Sequence, residues 1–150
     1  MVHHICAEST DDFAMLHTVD VLGPIAHSGV LVVDDYPACA DALKFLLEQH
    51  GLEVRSACDA CAACTIAEKW LPFAVIVDIA MPGISGLELA RQLRAGALTR
   101  DMLLIALTAR GSSEDITRAF EAGFDVHCLK PLPPIRLLAV LRFVTGKRVL

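Results

Sequence analysis

From residue 29 onward, short runs of β-branched and aliphatic residues alternate with helix-length amphipathic segments. That alternation restricts the chain more than any other feature, because it fits βα units wound around a parallel sheet and little else. Strands are predicted at 29–34, 53–56, 73–78, 102–108 and 126–129. Between them Cys39, Leu43, Leu46 and Leu47 recur at helical spacing up to Gly51, and Leu87, Leu89, Ala90 and Leu93 do the same before Gly96. Ser112-Ser-Glu-Asp115 reads as the capped start of a helix carrying Ile116, Ala119 and Phe120 and stopping at Gly123. Pro133 and Pro134 can open a last helix through Leu137, Val140, Leu141 and Val144, since proline suits the first helical position. With a cysteine-bearing helix after the second strand, the count is five strands and five helices.

The chain has 150 residues, enough for one core. A 55% apolar composition and a mean hydropathy of +0.53 suggest a membrane protein. The longest nearly unbroken apolar run is only 71–77, however, far below the roughly 20 residues a spanning helix needs. The start, Met1-Val-His-His-Ile-Cys-Ala-Glu8, lacks a basic stretch followed by an apolar one, so a cytoplasmic location is expected. A net charge of -5 and the lack of a Lys/Arg cluster argue against direct nucleic-acid binding. Residues 1–28 stand apart as an extension, either disordered or holding a short helix through Phe13, Leu16 and Val19. His3, His4, His17 and His27 match no metal-ligand spacing and read as solvent-exposed. Cys58, Cys61 and Cys64 form C-x-x-C-x-x-C without the fourth cysteine of an iron-sulfur run, so they read as small apolar residues packing on a helix.

The informative residues are polar ones at strand ends. Val75-Ile-Val-Asp78 runs a buried-looking strand into a carboxylate, and the first strand ends on Asp34-Asp35. Burying an unpaired charge costs several kcal/mol, so these groups need cationic partners or water. Ligands of open parallel sheets bind beyond the carboxyl ends of the strands, where the strand order reverses. In the order 2-1-3-4-5 the first and third strands are neighbours there, and three carboxylates share one crevice. Oxygen ligands of this kind suit a hard ion such as Mg2+. Thr108 and Lys130 end the fourth and fifth strands and point into the same crevice. A hydroxyl, an ammonium and a divalent cation around one carboxylate would accommodate a phosphoryl group. Taken singly, such an Asp caps a helix, such a Thr favours a strand and such a Lys is a solvated loop residue. Only their joint placement carries the argument.

Residues 29 to about 145 resemble the receiver domain of two-component response regulators. The resemblance rests on Val30-Leu-Val-Val-Asp-Asp35, Val77-Asp-Ile-Ala-Met-Pro-Gly83, Ala106-Leu-Thr-Ala109 and Cys128-Leu-Lys-Pro131. It implies a flavodoxin-like doubly wound sheet of order 2-1-3-4-5 with five helices, within a receiver domain spanning 29–150. It implies Asp78 as phospho-acceptor, with Mg2+ held by Asp78, Asp35, the Ala80 backbone carbonyl and, through water, Asp34. Thr108 and Lys130 would hold phosphoryl oxygens, and the Lys130-Pro131 bond would be cis as in relatives. The donor would be a histidine kinase or phosphotransfer protein. The output would be a protein target, or a homodimer partner, met by the fourth helix, fifth strand and fifth helix. His127 stands where transcriptional regulators carry Tyr or Phe and would act as the switch residue; the run Ala122-Gly-Phe-Asp-Val-His-Cys-Leu-Lys-Pro131 resembles receivers that stand alone or belong to hybrid histidine kinases. Such a domain modifies itself and is not an enzyme in the ordinary sense. A phosphohydrolase with an aspartyl nucleophile would need an acid two residues after Asp78, where Ala80 stands. The remaining alternative is a receiver-fold binding module that is not phosphorylated.

Overall fold

The computed structural model describes residues 5–7, 29–81, 83–130 and 132–145. The elements run β1 (Ile5–Ala7), β2 (Gly29–Val33), α1 (Pro37–Glu48), β3 (Glu53–Ala57), α2 (Ala60–Trp70), β4 (Ala74–Asp78), α3 (Gly86–Ala95), β5 (Leu103–Thr108), α4 (Ser113–Ala122), β6 (Val126–Leu129) and α5 (Pro134–Thr145). The sheet is parallel throughout and ordered β1-β6-β5-β4-β2-β3. Its last five members are the expected strands in the order 2-1-3-4-5, with boundaries within a residue of those read from the pattern. The addition is β1, which pairs with β6 from Ile5 opposite Val126 to Ala7 opposite Cys128. Three residues between masking polar neighbours give too little periodicity to mark a strand. The helix expected through Phe13, Leu16 and Val19, the histidines at 3, 4, 17 and 27, and the bond to Pro131 lie outside the described residues.

Strand alternation sends side chains into two layers. Val30, Val32, Ile76, Ile105, Val126 and Cys128 face Ala40 and Leu47 of α1 and Leu137, Leu138 and Leu141 of α5. Leu31, Val33, Val75, Val77, Leu104 and Ala106 face the other side, against Ala63 and Ala67 of α2, Leu89 and Leu93 of α3 and Ala119 of α4. Both faces of the sheet are covered, which is why the strands read as continuous apolar runs. No helix among the described residues is long and apolar enough to cross a membrane.

Local chemistry starts and stops these helices where the site needs them. Asp59, Ser85 and Ser112 each accept a backbone N–H of the first turn, at 2.8, 3.3 and 3.1 Å. Gly123 ends α4 at φ +115, a backbone region closed to most side chains. Gly86 opens α3 against the loop after Asp78, where an added Cβ would lie 2.7 Å from the Ile79 Cα. Only glycine lets α3 approach that closely, so Gly86 fixes the course of the chain leaving Asp78. Of the three cysteines in the C-x-x-C-x-x-C run, Cys64 packs half-buried against the core as expected, whereas Cys58 and Cys61 are exposed.

Candidate functional site

The strand ends meet at the boundary between β2 and β4, where the chain winds away in opposite directions. Asp34, Asp35 and Asp78 each bring a carboxylate oxygen into one group whose members lie within 4.8 Å of one another. Lys130, just past β6, reaches across to this group. Its ammonium lies 3.3 Å from Asp78 Oδ2 and 4.0 Å from Asp34 Oδ2. The backbone holds the other carboxylate oxygens: the Tyr36 N–H donates to Asp34 Oδ1 at 2.9 Å and the Ala80 N–H donates to Asp78 Oδ1 at 3.1 Å. Asp34 and Asp78 are therefore each oriented from two sides.

Burial raises the Asp34 carboxyl above its ordinary range, opposed by the Tyr36 hydrogen bond and Lys130 and reinforced by Asp78 and Asp35. One lysine against three carboxylates leaves the crevice with net negative charge. That donor set, oxygen-only and partly open to water, fits a hard divalent cation such as Mg2+.

Thr108 ends β5 beside Leu129 and is buried, and its hydroxyl oxygen accepts the Arg110 N–H at 3.0 Å. The Lys130 N–H donates to the Thr108 carbonyl at 2.7 Å, which ties the two strand ends together. His127 is fully buried on β6, opposite Ala106. Because Val126 and Cys128 face α1 and α5, His127 faces the layer of α4. Asp34, Asp35, Asp78 and Lys130 thus converge, Thr108 borders them, and His127 sits one layer away.

Two features escaped the sequence reading. A cavity of about 510 Å³ adjoins Asp34 and Lys130 and is lined by Cys39, Leu43, Leu107, Leu132 and Leu137. Its lining comes from α1, β5 and the start of the α5 segment, so no single stretch announces it. The second is Arg94 at the end of α3. It donates to the carbonyls of Gly123, Arg100 and Met102 at 2.8, 2.6 and 2.7 Å and to Asp125 Oδ2 at 2.7 Å. Asp125 accepts the Leu104 N–H as well, at 3.0 Å. This clamp joins α3 to the start of β5 and to the turn before β6, and Thr108 and Lys130 lie at the far ends of those two strands.

Residues 30–142 match the model of the response regulator receiver domain. The phosphate regulon transcriptional regulatory protein PhoB of Klebsiella pneumoniae is 37% identical over 116 residues, covering 77% of this chain and 50% of that protein. The chain thus spans about half the length of PhoB. The Vibrio cholerae chemotaxis protein CheY4 superposes with a TM-score of 0.75 at 28% identity, covering 79% of this chain and 99% of that one. A response regulator from Burkholderia pseudomallei, whose structure holds a phosphorylated aspartic acid and a calcium ion, superposes with a TM-score of 0.71 at 28% identity, covering 79% and 69%. Receiver domains of this kind exchange signals with histidine kinases or phosphotransfer proteins and with downstream effectors. The chain belongs to the receiver-domain family of two-component response regulators.

Proposed function

We propose that Asp78 is the phospho-acceptor and that the donor is a phosphohistidine on a histidine kinase or phosphotransfer protein. The observation that carries this reading is the Lys130 ammonium at 3.3 Å from Asp78 Oδ2, at a strand end where two other carboxylates gather. Asp78 is held by the Ala80 N–H on one oxygen, which leaves Oδ2 beside Lys130 as the attacking atom. In the transfer the phosphorus–nitrogen bond to the donor imidazole breaks and a bond to Asp78 Oδ2 forms. The released imidazole keeps the electron pair and takes a proton from solvent. Lys130 and Thr108 hold phosphoryl oxygens as charge spreads over them, and no general acid is required of Asp78's neighbours.

Asp35, Asp78, the Ala80 carbonyl and, through water, Asp34 would hold Mg2+, which when bound neutralises phosphoryl and carboxylate charge. The domain acts on itself and turns over no external substrate. Residues 29–150 form the receiver, and 1–28 an extension that supplies the edge strand β1. Phosphorylation draws the Thr108 hydroxyl off the Arg110 amide, and His127 moves into the space released, altering the surface of α4, β6 and α5. That surface meets a protein target in the cytoplasm. The Burkholderia regulator with its phosphorylated aspartic acid and calcium ion supports the chemistry.

The test is intact-mass spectrometry after incubation with acetyl phosphate and Mg2+. Wild type should gain one phosphoryl mass and Asp78→Asn none. Equal gain in both would refute the assignment.

A further inference from the structure

Phosphoryl transfer has no use for β1, yet β1 lies on an edge with no charge or proline of its own. Without it, β6 would be the outermost strand on that side of the sheet. Val126, His127 and Cys128 are fully buried and Leu129 is half-buried, and the strand holds no lysine, arginine, carboxylate or proline. Such residues are what keep a bare edge from pairing with another chain. The opposite edge is protected that way: β3 presents Glu53 and Arg55 to solvent, with the Arg55 guanidinium 4.6 Å from the centre of the Trp70 ring. On the β6 side the protection is backbone pairing, with Ile5 opposite Val126, Cys6 opposite His127 and Ala7 opposite Cys128. Three paired residues share few hydrogen bonds, each of small net worth once water is the competitor, while ordering the segment costs conformational entropy. A pairing that short opens locally without unfolding the core.

The geometry points to β1 as an intramolecular cover on the edge of β6, in competition with the same edge of a second copy of this chain. An uncovered β6 is self-complementary, because two copies related by a twofold axis pair β6 with β6 antiparallel and join their sheets. A second copy suits this edge better than a charged partner does, since Val126-His-Cys-Leu129 offers backbone groups and apolar side chains and no formal charge to attract one. Each copy must release its own β1 before the two edges meet, so the cover acts twice on one association. The inference rests on the proposed output surface, to which β6 belongs, and names its partner. It calls on neither Asp78 nor a metal ion, so it stands or fails separately from the phospho-acceptor assignment.

The full reduced chain, without Mg2+ or a phosphoryl donor, should be followed by sedimentation velocity over a rising concentration series. Cys6→Pro and Ala7→Pro each take a backbone donor out of β1 and set a proline ring against the ladder. Each should tighten self-association roughly tenfold or more relative to wild type. Cys6→Ala keeps the backbone donor and should sediment as wild type does. Adding Leu129→Lys to Cys6→Pro places a charge on the half-buried end of the bare edge and should return the chain to monomer. Proline variants that associate no more tightly than wild type would overturn the proposal, as would a Cys6→Pro dimer that survives Leu129→Lys. A wild-type dimer that Cys6→Pro dissolves would overturn it too, because β1 would then be exchanged between copies instead of covering its own β6.

Discussion

Replacing Asp34 with Asn should make the metal-free protein more stable while weakening its hold on metal. Asp34 lies within 4.8 Å of Asp78 and 4.0 Å from the Lys130 ammonium. At an effective dielectric constant of about 20 these correspond to at least roughly 3.5 kcal/mol of repulsion and at most about 4 kcal/mol of attraction, the latter screened because Lys130 is partly exposed, so the attraction does not outweigh the repulsion. Asp35 adds repulsion, discounted because it is exposed. Burial is then the deciding term, and it is also the largest cause of the raised Asp34 carboxyl. Asn removes the charge yet still accepts the Tyr36 N–H. The gain should be about 1 kcal/mol, a modest part of the several kcal/mol that burying an ion costs. With a urea slope of about 1–3 kcal/mol/M, the midpoint in EDTA should rise by roughly 0.5 M. The sign with pH follows from the raised value. The folded state holds the Asp34 proton more tightly than the unfolded chain, so wild-type stability declines as pH rises from the ordinary carboxylate value through the raised one. Asp34→Asn should lose that part of the slope. With Mg2+ at ten times its dissociation constant the wild type regains about 1.4 kcal/mol by mass action, and the order of stabilities should level or invert. An Asp34→Asn protein less stable than wild type in EDTA at neutral pH would refute the reasoning.

Asp35→Ala should weaken Mg2+ binding, read from amide shifts, because it removes one of the three carboxylates of the proposed metal site. Arg94→Ala should cost about 3 kcal/mol in urea unfolding, since it strands the buried Asp125 carboxylate and three carbonyls, and the Arg94→Ala, Asp125→Ala pair should show strong non-additivity. Leu71→Gly should stabilise by about 1 kcal/mol, because Leu71 caps α2 at φ 54, a region costly for a side chain. His127→Ala should shrink the amide-shift changes that beryllofluoride produces across 112–145, while leaving modification at Asp78 intact.

What was legible in the chain and what was not divides along a physical line. The β-branched runs at 29–34 and 73–78 are local patterns, and each ends on the polar group that the parallel winding then delivers to one edge of the sheet. Given the strand order, Asp34, Asp78, Thr108 and Lys130 had to meet, because the carboxyl ends of parallel strands share one side. The Arg94 clamp has no such signal. Arg94 sits on a helix face that reads as solvated, and three of its four acceptors are backbone carbonyls that any sequence supplies. Exposure of Cys58 and Cys61 was likewise hidden, because small residues suit a packed and an open helix face equally well. β1 is three residues long and owes its form to the unpaired edge of β6.

The clamp and the acidic crevice set opposite stability terms on the same strand ends. Asp34, Asp35 and Asp78 repel one another at the tips of β2 and β4, whereas Arg94 fixes the backbone at the base of β5 and at the turn entering β6. Lys130 and Thr108 are carried by those two strands, and the 2.7 Å bond from the Lys130 N–H to the Thr108 carbonyl binds their tips. Charge frustration therefore falls on side chains that a cation can relieve, while the backbone that aims them is held from below. A ligand that neutralises the crevice releases repulsion without having to rebuild the scaffold, which is the energetic condition for a switch that returns to its starting state when the charge is removed.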